Sequence, residues 1–560
     1  VDADVVEENA TTSTSEVSEE EDDTDDSSYS PSKDNALYFL EACNYTGLVE
    51  EANKLSGDEE VMLAKKVELK KWTDNNVYAQ VEDQGQYRIS TTWVVNVKQA
   101  DGQRVTKARL VARGYEEQLS MRKDSPTCMT SSTRVATSLI SAKDWELNSM
   151  DVYAAFLQGQ DIERDVYIKP PKEANQGGYL WKLKKVVYGL SDAPRNWYVT
   201  LRSFLESNGV RVSRYDPALF YKYSEEGDLM GIMVCHVDDF LWGGDDGFKD
   251  LIIKPLMAKF KISGVGITAF KFLGLNVHQY DDGITVNQNL FIGKVQKMEL
   301  SKKSKLLNVD KINDQAVSEM RSVLGQLNWA SGKTRPDISF EACQASTRVN
   351  EATVKDVTSL NKAVKKLKSD DWSLMFKRLK HLDTLYLCIF TDASFNNLPR
   401  GGSQEGFIIV LADINLNCCP LDWGSKRIKR VVKSTLAAET LAAQDGVDRA
   451  YLLSTILKEL IGRITSIQTI LFTDSKSLYD TVGTSNMIKD QKLLVDMCAL
   501  RELNERKEVE FCWIPTDEQI ADSLTKAGAS NKLMIDVVSK GTLKGLTSVV
   551  DLFKKKRGDC

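Results

Sequence analysis

The sequence predicts an α+β protein of several domains, the last of which is a compact α/β domain. The chain has 560 residues, 42% of them apolar, which is enough for roughly three or four domains with buried cores. Strand patterns and amphipathic helix patterns both occur before residue 384. After residue 384, three strand patterns are followed by a helix, a strand, a helix and a strand. That element order indicates a separate α/β domain.

The first part of the chain is strongly acidic. Residues 1–30 hold 12 Asp or Glu and neither Lys nor Arg, so the net charge of −7 becomes +5 over residues 31–560. We predict a disordered acidic linker over residues 1–59, or a tail that binds a partner, because such a composition buries too little apolar surface to order the chain. The mildly basic remainder permits a polyanionic partner. The chain begins with Val1 rather than Met, which suggests a fragment of a longer polypeptide.

Cysteine, histidine and hydropathy exclude several classes of protein. The ten cysteines form no CxxC pair and the chain has three histidines, so the spacing of zinc ligands is absent. Scattered cysteines are typical of reduced thiols in an intracellular protein. No apolar run approaches the roughly 20 residues that cross a bilayer, so we expect no membrane partner.

The predicted elements before residue 384 follow from turn signals and apolar spacing. They are a helix over 60–72, a hairpin with Lys and Arg over 87–115 that turns at Asp101-Gly102, a strand that leads into a helix or turn over 147–159 with Asp151 at the junction, a helix over 188–209 that starts at Asp192 and Pro194, a strand pair over 270–288, and helices over 316–368.

Two adjacent carboxylates interrupt an apolar hairpin. In "IMVCHVDDFLWGG", Asp238 and Asp239 lie between two strand patterns, and Asp151 ends an apolar strand 87 residues before Asp238. Burying neighbouring carboxylates is costly because each disfavours the charged form of the other. A divalent cation such as Mg²⁺, which prefers oxygen ligands, would offset that cost. A solvated turn is the alternative, since Asp is a common turn residue.

Four acids recur in the last domain at the ends of predicted elements. Asp392 follows the first strand, Glu439 lies on the long helix, Asp474 ends "ILFTD", and Asp522 lies in "EQIADSLTK". Each alone could be a surface carboxylate. Together, converging acids of this kind can hold two Mg²⁺ ions for hydrolysis of a phosphodiester.

Five ordered motifs carry a family resemblance. The motifs "SMDVYAAFLQG", "YGLSDAPRNWY", "HVDDFLWGG", "FKFLGLNV" and "TRPDISF" resemble the reverse transcriptase of copia-type LTR retrotransposons. The four acids and the element order of the last domain resemble a copia-type ribonuclease H. The resemblance implies a right-hand polymerase of fingers, palm and thumb, followed by an α/β ribonuclease H-like domain. It implies a division into the linker (1–59), the polymerase (60–315), a helical connection (316–383), the nuclease (384–530) and a C-terminal tail (531–560).

The resemblance also assigns roles to individual residues. Asp151 and Asp238 match the metal-binding aspartates, and Asp239 matches a third, more peripheral acid. Lys107 and Arg109 match finger residues that hold the incoming triphosphate, although a solvated basic strand is the alternative. Phe156 matches the aromatic steric gate that disfavours a ribose 2′-hydroxyl, although an ordinary core aromatic would look the same.

One position departs from the family pattern. Asp192 stands where the family usually has Gln, near the nascent base pair, and a carboxylate is unwelcome beside a triphosphate. We expect the Asp192 side chain to act as a helix N-cap that faces away. The resemblance also leaves the nuclease without the histidine that retroviral ribonucleases H often add, because no His follows His381.

The implied activities are RNA-directed DNA synthesis and cleavage of RNA in an RNA–DNA hybrid. The implied cofactors are two Mg²⁺ per site, or Mn²⁺ in their place. The implied partners are an RNA template, a DNA primer, deoxynucleoside triphosphates and other Gag and Pol segments. The implied location is intracellular, in a cytoplasmic virus-like particle or the nucleus. Two alternatives remain: a decayed copy that binds nucleic acid without catalysis, and a protein with nuclease activity only.

Overall fold

The computed structural model describes residues 57–558, apart from residues 101–102, 119–121, 175–176, 300–309, 399–400, 463–465, 486–487 and 489. The acidic linker predicted over residues 1–59 therefore lies outside the described residues, except for its last three. The predicted Asp101-Gly102 turn lies outside them as well.

Strands and helices alternate throughout the described residues. The strands are β1 (Tyr78–Glu82), β2 (Arg88–Ile89), β3 (Thr91–Ala100), β4 (Gln103–Ala112), β5 (Asn148–Val152), β6 (Tyr167–Ile168), β7 (Tyr179–Leu183), β8 (Arg211–Val212), β9 (Leu219–Tyr223), β10 (Leu229–His236), β11 (Asp239–Gly244), β12 (Ile262–Ile267), β13 (Ala269–Phe272), β14 (Leu275–Tyr280), β15 (Gly283–Asn287), β16 (Leu374–Lys377), β17 (Thr384–Leu398), β18 (Gly402–Ala412), β19 (Cys418–Arg427), β20 (Ser466–Thr473) and β21 (Val509–Trp513). The helices are α1 (Gly57–Asp74), α2 (Thr130–Ala142), α3 (Ala193–Ser207), α4 (Asp246–Phe248), α5 (Lys254–Lys259), α6 (Asn289–Lys294), α7 (Asp314–Lys333), α8 (Ser339–Ser346), α9 (Val354–Leu367), α10 (Thr435–Ile461), α11 (Lys476–Val482), α12 (Gln491–Glu505), α13 (Lys532–Lys540) and α14 (Thr547–Gly558).

The first elements build a small sheet and a hairpin. Strands β1, β7, β6 and β2 form one sheet in that order, and β3 and β4 pair as the long antiparallel hairpin predicted from the sequence. Helix α1 contributes Trp72, which packs with Trp181 of β7 at a ring-centroid distance of 5.8 Å. Both indoles are fully buried, so they anchor this part of the chain.

A six-stranded sheet in the order β12-β5-β11-β10-β9-β8 forms the centre of the molecule. Alternate residues of β10 face opposite sides: Val234 packs in the core that includes α2, and Met233 packs in the core that includes α3. This period of two is the reason that an apolar strand such as β10 is covered by a helix on each face. Trp197 and Leu201 of α3 are buried.

The segment predicted as a helical connection, 316–383, is only partly helical. Helices α7, α8 and α9 occupy most of it, but β16 pairs antiparallel with β15 and completes a four-stranded sheet. The side chains of Leu374 and Phe376 in β16 are buried. The gain from burying these apolar side chains explains why the segment ends as a strand rather than a helix.

The C-terminal domain has the element order that the sequence predicts, except that two helices, α11 and α12, rather than one lie between β20 and β21. Its sheet runs β19-β18-β17-β20-β21; β17, β18 and β19 are antiparallel, and β20 and β21 add in parallel. Helix α10 joins β19 to β20 and packs against β17 and β18. The α+β fold class is confirmed by this combination of antiparallel sheets, helices and a mixed sheet.

The segment assigned to a C-terminal tail, residues 531–560, is largely helical over its described part. Helices α13 and α14 occupy most of this segment. In α14, the buried side chains of Val549 and Phe553 are four residues apart and so lie on one face. The ring of Phe553 lies 4.7 Å from that of Tyr386 in β17. Burial of this apolar face keeps the basic end of the chain on the C-terminal domain.

The central sheet and the C-terminal domain share one apolar core. Arg134 of α2 stacks its guanidinium 3.6 Å from the Trp423 ring centroid and donates to the Leu421 carbonyl at 3.2 Å. The Tyr223 hydroxyl donates to the Glu459 carbonyl near the end of α10. These contacts fix the two regions against each other. Among the described helices, none combines the length and apolar character needed to cross a membrane.

Candidate active sites

The first candidate site is the tip of the β10–β11 hairpin. The strands pair His236 with Asp239, which leaves Val237 and Asp238 as a two-residue turn. Val237 has a φ of 59°, an unfavourable conformation for a β-branched residue. Its carbonyl accepts a hydrogen bond of 2.7 Å from the Trp197 indole. Strained backbone that is held in place by neighbours is typical of functional sites.

Strand pairing brings the three predicted carboxylates together. Strand β5 is antiparallel to β11, and Asp151 stands directly opposite Asp239. The Asp238 carbonyl accepts a hydrogen bond from Val152 at 3.1 Å. We call Asp151, Asp238 and Asp239 the hairpin cluster.

The hairpin cluster is electrostatically strained without a cation. Burial, together with the charges of Asp238 and Asp239, raises the pKa of Asp151 to about 8. Burial and the charge of Asp238 raise the pKa of Asp239 to about 6. Burial also raises the pKa of Asp238. Three half-buried carboxylates that repel each other are a suitable oxygen donor set for divalent metal ions.

Basic and aromatic side chains face the hairpin cluster. The positive charge of Lys107 partly opposes the burial-driven rise in the pKa of Asp151, and that of Arg109 partly opposes the rise in the pKa of Asp238. Arg109 lies 5.7 Å from the Tyr188 ring centroid, and Tyr188 in turn lies 5.3 Å from that of Phe156. Both Lys107 and Arg109 are exposed on β4, so their charges are accessible to a ligand above the carboxylates.

Asp192 precedes α3 at the N-cap position, but its carboxylate does not cap the helix, so the predicted cap is wrong. Instead Arg164 donates two hydrogen bonds to Asp192, of 2.7 and 3.0 Å, and two to Glu117, of 2.6 and 3.2 Å. A bidentate pair with a guanidinium is stronger than a single cap hydrogen bond. The single charge of Arg164 is therefore shared between the carboxylates of Asp192 and Glu117.

The second candidate site is in the C-terminal domain. One carboxylate oxygen each of Asp392, Glu439 and Asp474 lies within 4.8 Å of the other two. Asp392 is in β17, Glu439 is in the second turn of α10, and Asp474 follows β20. Adjacent parallel strands β17 and β20 bring the first and third acids to the same edge of the sheet. We call these three acids, together with Asp522, the C-terminal cluster.

Burial and mutual repulsion mark the C-terminal cluster as a cation site. Burial and the charges of Asp522 and Asp474 raise the pKa of Asp392 to about 7, although Lys526 opposes the shift. Burial and the charges of Asp392 and Asp474 raise the pKa of Glu439 well above its usual value. The buried Oε2 of Glu439 has no hydrogen-bond partner among the described residues. An orphaned carboxylate oxygen beside two further acids fits a metal ion.

Asp522 joins the C-terminal cluster through a lysine that the sequence analysis missed. Lys526 donates to Asp522 at 2.7 Å and to Asp392 at 3.1 Å. The Thr525 hydroxyl also donates to the Asp392 carboxylate. Spacing could have revealed Lys526, because it follows Asp522 by four residues within "EQIADSLTK".

The sequence analysis also missed two residues that lie at the hairpin cluster. The Ser263 hydroxyl of β12 donates to the Asp151 carboxylate, and Tyr188 lies between Arg109 and Phe156. Tyr188 lies in the quoted motif "YGLSDAPRNWY" and could have been considered. No local signal identifies Ser263, because its contact depends on the pairing of β12 with β5.

His236 is the last residue of β10. It is half-buried next to the turn and lines a cavity of about 490 Å³ together with Trp329 and Lys333. Burial lowers the pKa of its imidazole. The positive charge of Lys333 acts in the same direction, so both effects favour the neutral imidazole.

Comparison with known proteins identifies relatives of this chain. Residues 75–308 match the family model described as reverse transcriptase (RNA-dependent DNA polymerase). The chain is 27% identical over 441 residues to the Pol polyprotein of transposon RE1 from Arabidopsis thaliana, and covers 29% of its length. The chain is related to the Pol polyproteins of copia-type retrotransposons. This chain is also 28% identical over 514 residues to the Pol polyprotein of transposon TNT 1-94 from Nicotiana tabacum.

The match extends to yeast elements and covers only part of each relative. The chain is 25% identical over 527 residues to the Ty1-JR2 Gag-Pol polyprotein of Saccharomyces cerevisiae. For these three relatives the matched part is 75 to 88% of this chain but 29 to 37% of the relative. The chain thus spans about a third of the length of the Pol relatives that it matches.

Two solved structures of a foamy viral protease-reverse transcriptase are also similar. One is a complex with double-stranded DNA, with 12% identity and a TM-score of 0.49 over 82% of this chain and 70% of that one. The other is a complex with an RNA/DNA hybrid, with 10% identity and a TM-score of 0.43 over 88% of this chain and 64% of that one.

Proposed function

We propose that this chain copies an RNA or DNA template from a primer 3′-hydroxyl and cuts the RNA strand of the resulting hybrid. The observation that carries the proposal is the presence of two separate carboxylate clusters in one chain. The hairpin cluster lies within residues 75–308, which match the reverse transcriptase model. The C-terminal cluster lies outside that range, in a domain with its own sheet.

The hairpin cluster supplies the polymerase site in this proposal. Asp151, Asp238 and Asp239 would hold two Mg²⁺, or Mn²⁺ in their place, because their crowded carboxylates favour the charged form only beside a cation. Bound metal would neutralise phosphate charge and help to ionise the primer hydroxyl. The protein itself keeps Asp151 in place through the Ser263 hydroxyl. The Val237-Asp238 turn is held by the Trp197 hydrogen bond.

The basic hairpin and the aromatic pair would bind the deoxynucleoside triphosphate. Lys107 and Arg109 are exposed on β4, and their charges act on the hairpin cluster. They can therefore reach phosphates that lie over the carboxylates. Phe156, which is packed on Tyr188, would face the sugar and disfavour a 2′-hydroxyl.

The pairing of Asp192 with Arg164 supports an active polymerase. A free carboxylate near the nascent base pair would repel the triphosphate. Both Asp192 oxygens instead accept hydrogen bonds from Arg164. The departure from the family pattern is therefore no argument for a decayed copy.

The C-terminal cluster supplies the ribonuclease H site in this proposal. Asp392, Glu439, Asp474 and Asp522 would hold the metal ions, which when bound would activate water and stabilise the leaving oxygen. Three of these acids lie close enough to share an ion. The preference for RNA would depend on 2′-hydroxyl contacts and on the shape of the hybrid.

The proposed partners are an RNA template, a DNA primer, their hybrid and deoxynucleoside triphosphates. Other Gag and Pol segments would act with the chain, since it matches only part of longer polyproteins. The proposed location is inside the cell, in a virus-like particle or the nucleus. The absence of disulfides among the described cysteines is compatible with this location.

Separation of the two activities tests the proposal. Primer extension and cleavage of a labelled RNA/DNA hybrid are measured for wild type, Asp238→Asn and Asp392→Asn. We expect Asp238→Asn to lose extension and keep cleavage, and Asp392→Asn to show the reverse. Loss of both activities in both variants would contradict two separate sites. Wild-type cleavage without extension would favour the nuclease-only alternative.

A further inference from the structure

The four acids of the C-terminal cluster are not equivalent. Asp392, Glu439 and Asp474 form a group in which one oxygen of each lies within 4.8 Å of the others. On the other side of Asp392, the Lys526 ammonium already connects it to Asp522, at 3.1 and 2.7 Å. One side of the cluster therefore contains three crowded acids, and the other contains an ion-paired edge. Asp392 is common to both.

Lys526 is held where it can bridge the two acids. The backbone amides of Thr525 and Lys526 donate to the Asp522 carbonyl at 3.1 and 3.0 Å, which closes a tight turn. The Thr525 hydroxyl donates to the second oxygen of Asp392. The Asp392 side chain is 1% exposed and that of Lys526 is 38% exposed. Lys526 thus reaches a buried carboxylate from the rim and can withdraw towards solvent without unfolding the domain.

An ammonium group and a divalent cation compete for the same carboxylate oxygens. Because Lys526 is attached to the chain, its local concentration at the Asp392–Asp522 edge is high whatever the buffer contains. A cation at the three-acid group meets weaker competition at Glu439 and Asp474, because the ion pairs of Lys526 are to Asp392 and Asp522 and its ammonium acts on Glu439 only through its charge.

Building on the proposed nuclease, we infer that Lys526 is a positioning residue that occupies the second cation position of the C-terminal cluster. It holds Asp522 against Asp392 when metal is absent. It also weakens binding of a second divalent ion, so that the first ion binds at Asp392, Glu439 and Asp474. Lys526 therefore sets the metal concentration that the nuclease needs.

Direct metal binding tests this inference. Mn²⁺ is titrated into the full chain by calorimetry, on a background in which Asp151→Asn and Asp238→Asn weaken the hairpin cluster. We expect Lys526→Met to tighten the second, weaker Mn²⁺ step by roughly ten- to a hundredfold, because a unit charge near the ion is removed. Lys526→Arg should keep the weak step. Lys540→Met removes a similar pair, in which Lys540 lies 2.6 Å from Asp536 four residues earlier, and should leave both steps unchanged.

Two further readouts separate this inference from the nuclease proposal. In EDTA, Lys526→Met should melt at a lower temperature than wild type, since the acids lose their internal cation, and Mn²⁺ should restore more of its stability. If Lys526→Met does not fold, Lys526→Gln is used in its place. An unchanged second step in Lys526→Met, or equal effects of the Arg and Met variants, would overturn the inference. If the titrations agree but wild type cuts no RNA at any metal concentration, the nuclease proposal fails and the role of Lys526 stands.

Discussion

Replacing Asp239 with Asn should stabilise the metal-free protein at alkaline pH. Burial and the charge of Asp238 raise the pKa of Asp239 from 3.8 to about 6. A raised pKa means that the folded state favours the neutral carboxyl. The stabilisation linked to this proton is therefore fully present below about pH 4 and is lost as the pH rises through about 6. Asn remains neutral and avoids the loss.

The size of the effect follows from the shift in pKa. A difference of about two units corresponds to roughly 3 kcal/mol at pH 8, and to about half of that at pH 5. We expect the free energy of unfolding of Asp239→Asn in EDTA to exceed that of wild type by up to this amount at pH 8. The difference should shrink as the pH falls. With Mg²⁺ present, we expect Asp239→Asn to be less stable than wild type, because the variant has lost a metal ligand.

Hydrogen exchange of the β10–β11 amides in EDTA at pH 5 and pH 8 measures this effect in the sheet concerned. Exchange is corrected for the intrinsic dependence on pH. Asp246→Asn is the matched control, because the Asp246 side chain is 99% exposed and lies just beyond β11, and it should change nothing. A gain that is equal at both pH values, or no gain at pH 8, would refute the argument that repulsion within the hairpin cluster costs stability.

Three further predictions concern the sugar, the Asp192 pair and nucleic acid. Phe156→Val should raise ribonucleotide relative to deoxynucleotide incorporation by roughly tenfold or more, measured by competitive primer extension, because space opens for a 2′-hydroxyl; an unchanged ratio would show that Phe156 is only a core residue. Arg164→Met should destabilise the protein by roughly 3–5 kcal/mol by leaving buried carboxylates unpaired, and adding Asp192→Asn should recover part of the loss in urea denaturation; no recovery would contradict the pairing. Affinity for an RNA/DNA hybrid should fall at least roughly tenfold between about 50 and 200 mM salt in fluorescence anisotropy, whereas a flat response would exclude backbone contacts as the main source of affinity.

Local patterns were sufficient to predict much of the fold. The β3–β4 hairpin, helix α3 and the order of elements after residue 384 each follow from apolar periodicity and turn residues within the element. The strand pairing that places Asp151 opposite Asp239 needed fewer signals to predict than a whole element, since two apolar strands with acids at their ends have few ways to pair. In both clusters the acids lie at element ends, where the sequence pattern changes from apolar to charged.

Features that depend on distant partners were not predictable. Strand β16 has no alternating pattern and forms because β15 offers it an edge. Helix α14 looks like a basic tail in the sequence because it contains "LFKKKRG", and its helix depends on the burial of Val549 and Phe553. Asp192 has a good capping position, yet it pairs with Arg164, which lies 28 residues earlier in the chain. Local reasoning judges a residue by its neighbours in sequence, whereas these three outcomes are decided by contacts in space.

Primer extension tests the central claim most directly. Wild type, Asp238→Asn and the exposed control Asp246→Asn are compared on poly(rA)/oligo(dT) with Mg²⁺ and thymidine triphosphate. We predict extension by wild type and by Asp246→Asn, and a loss of roughly a hundredfold or more in Asp238→Asn. Extension by Asp238→Asn at the wild-type rate, or no extension by any chain that still binds the primer and template, would contradict the claim that the hairpin cluster is a polymerase active site.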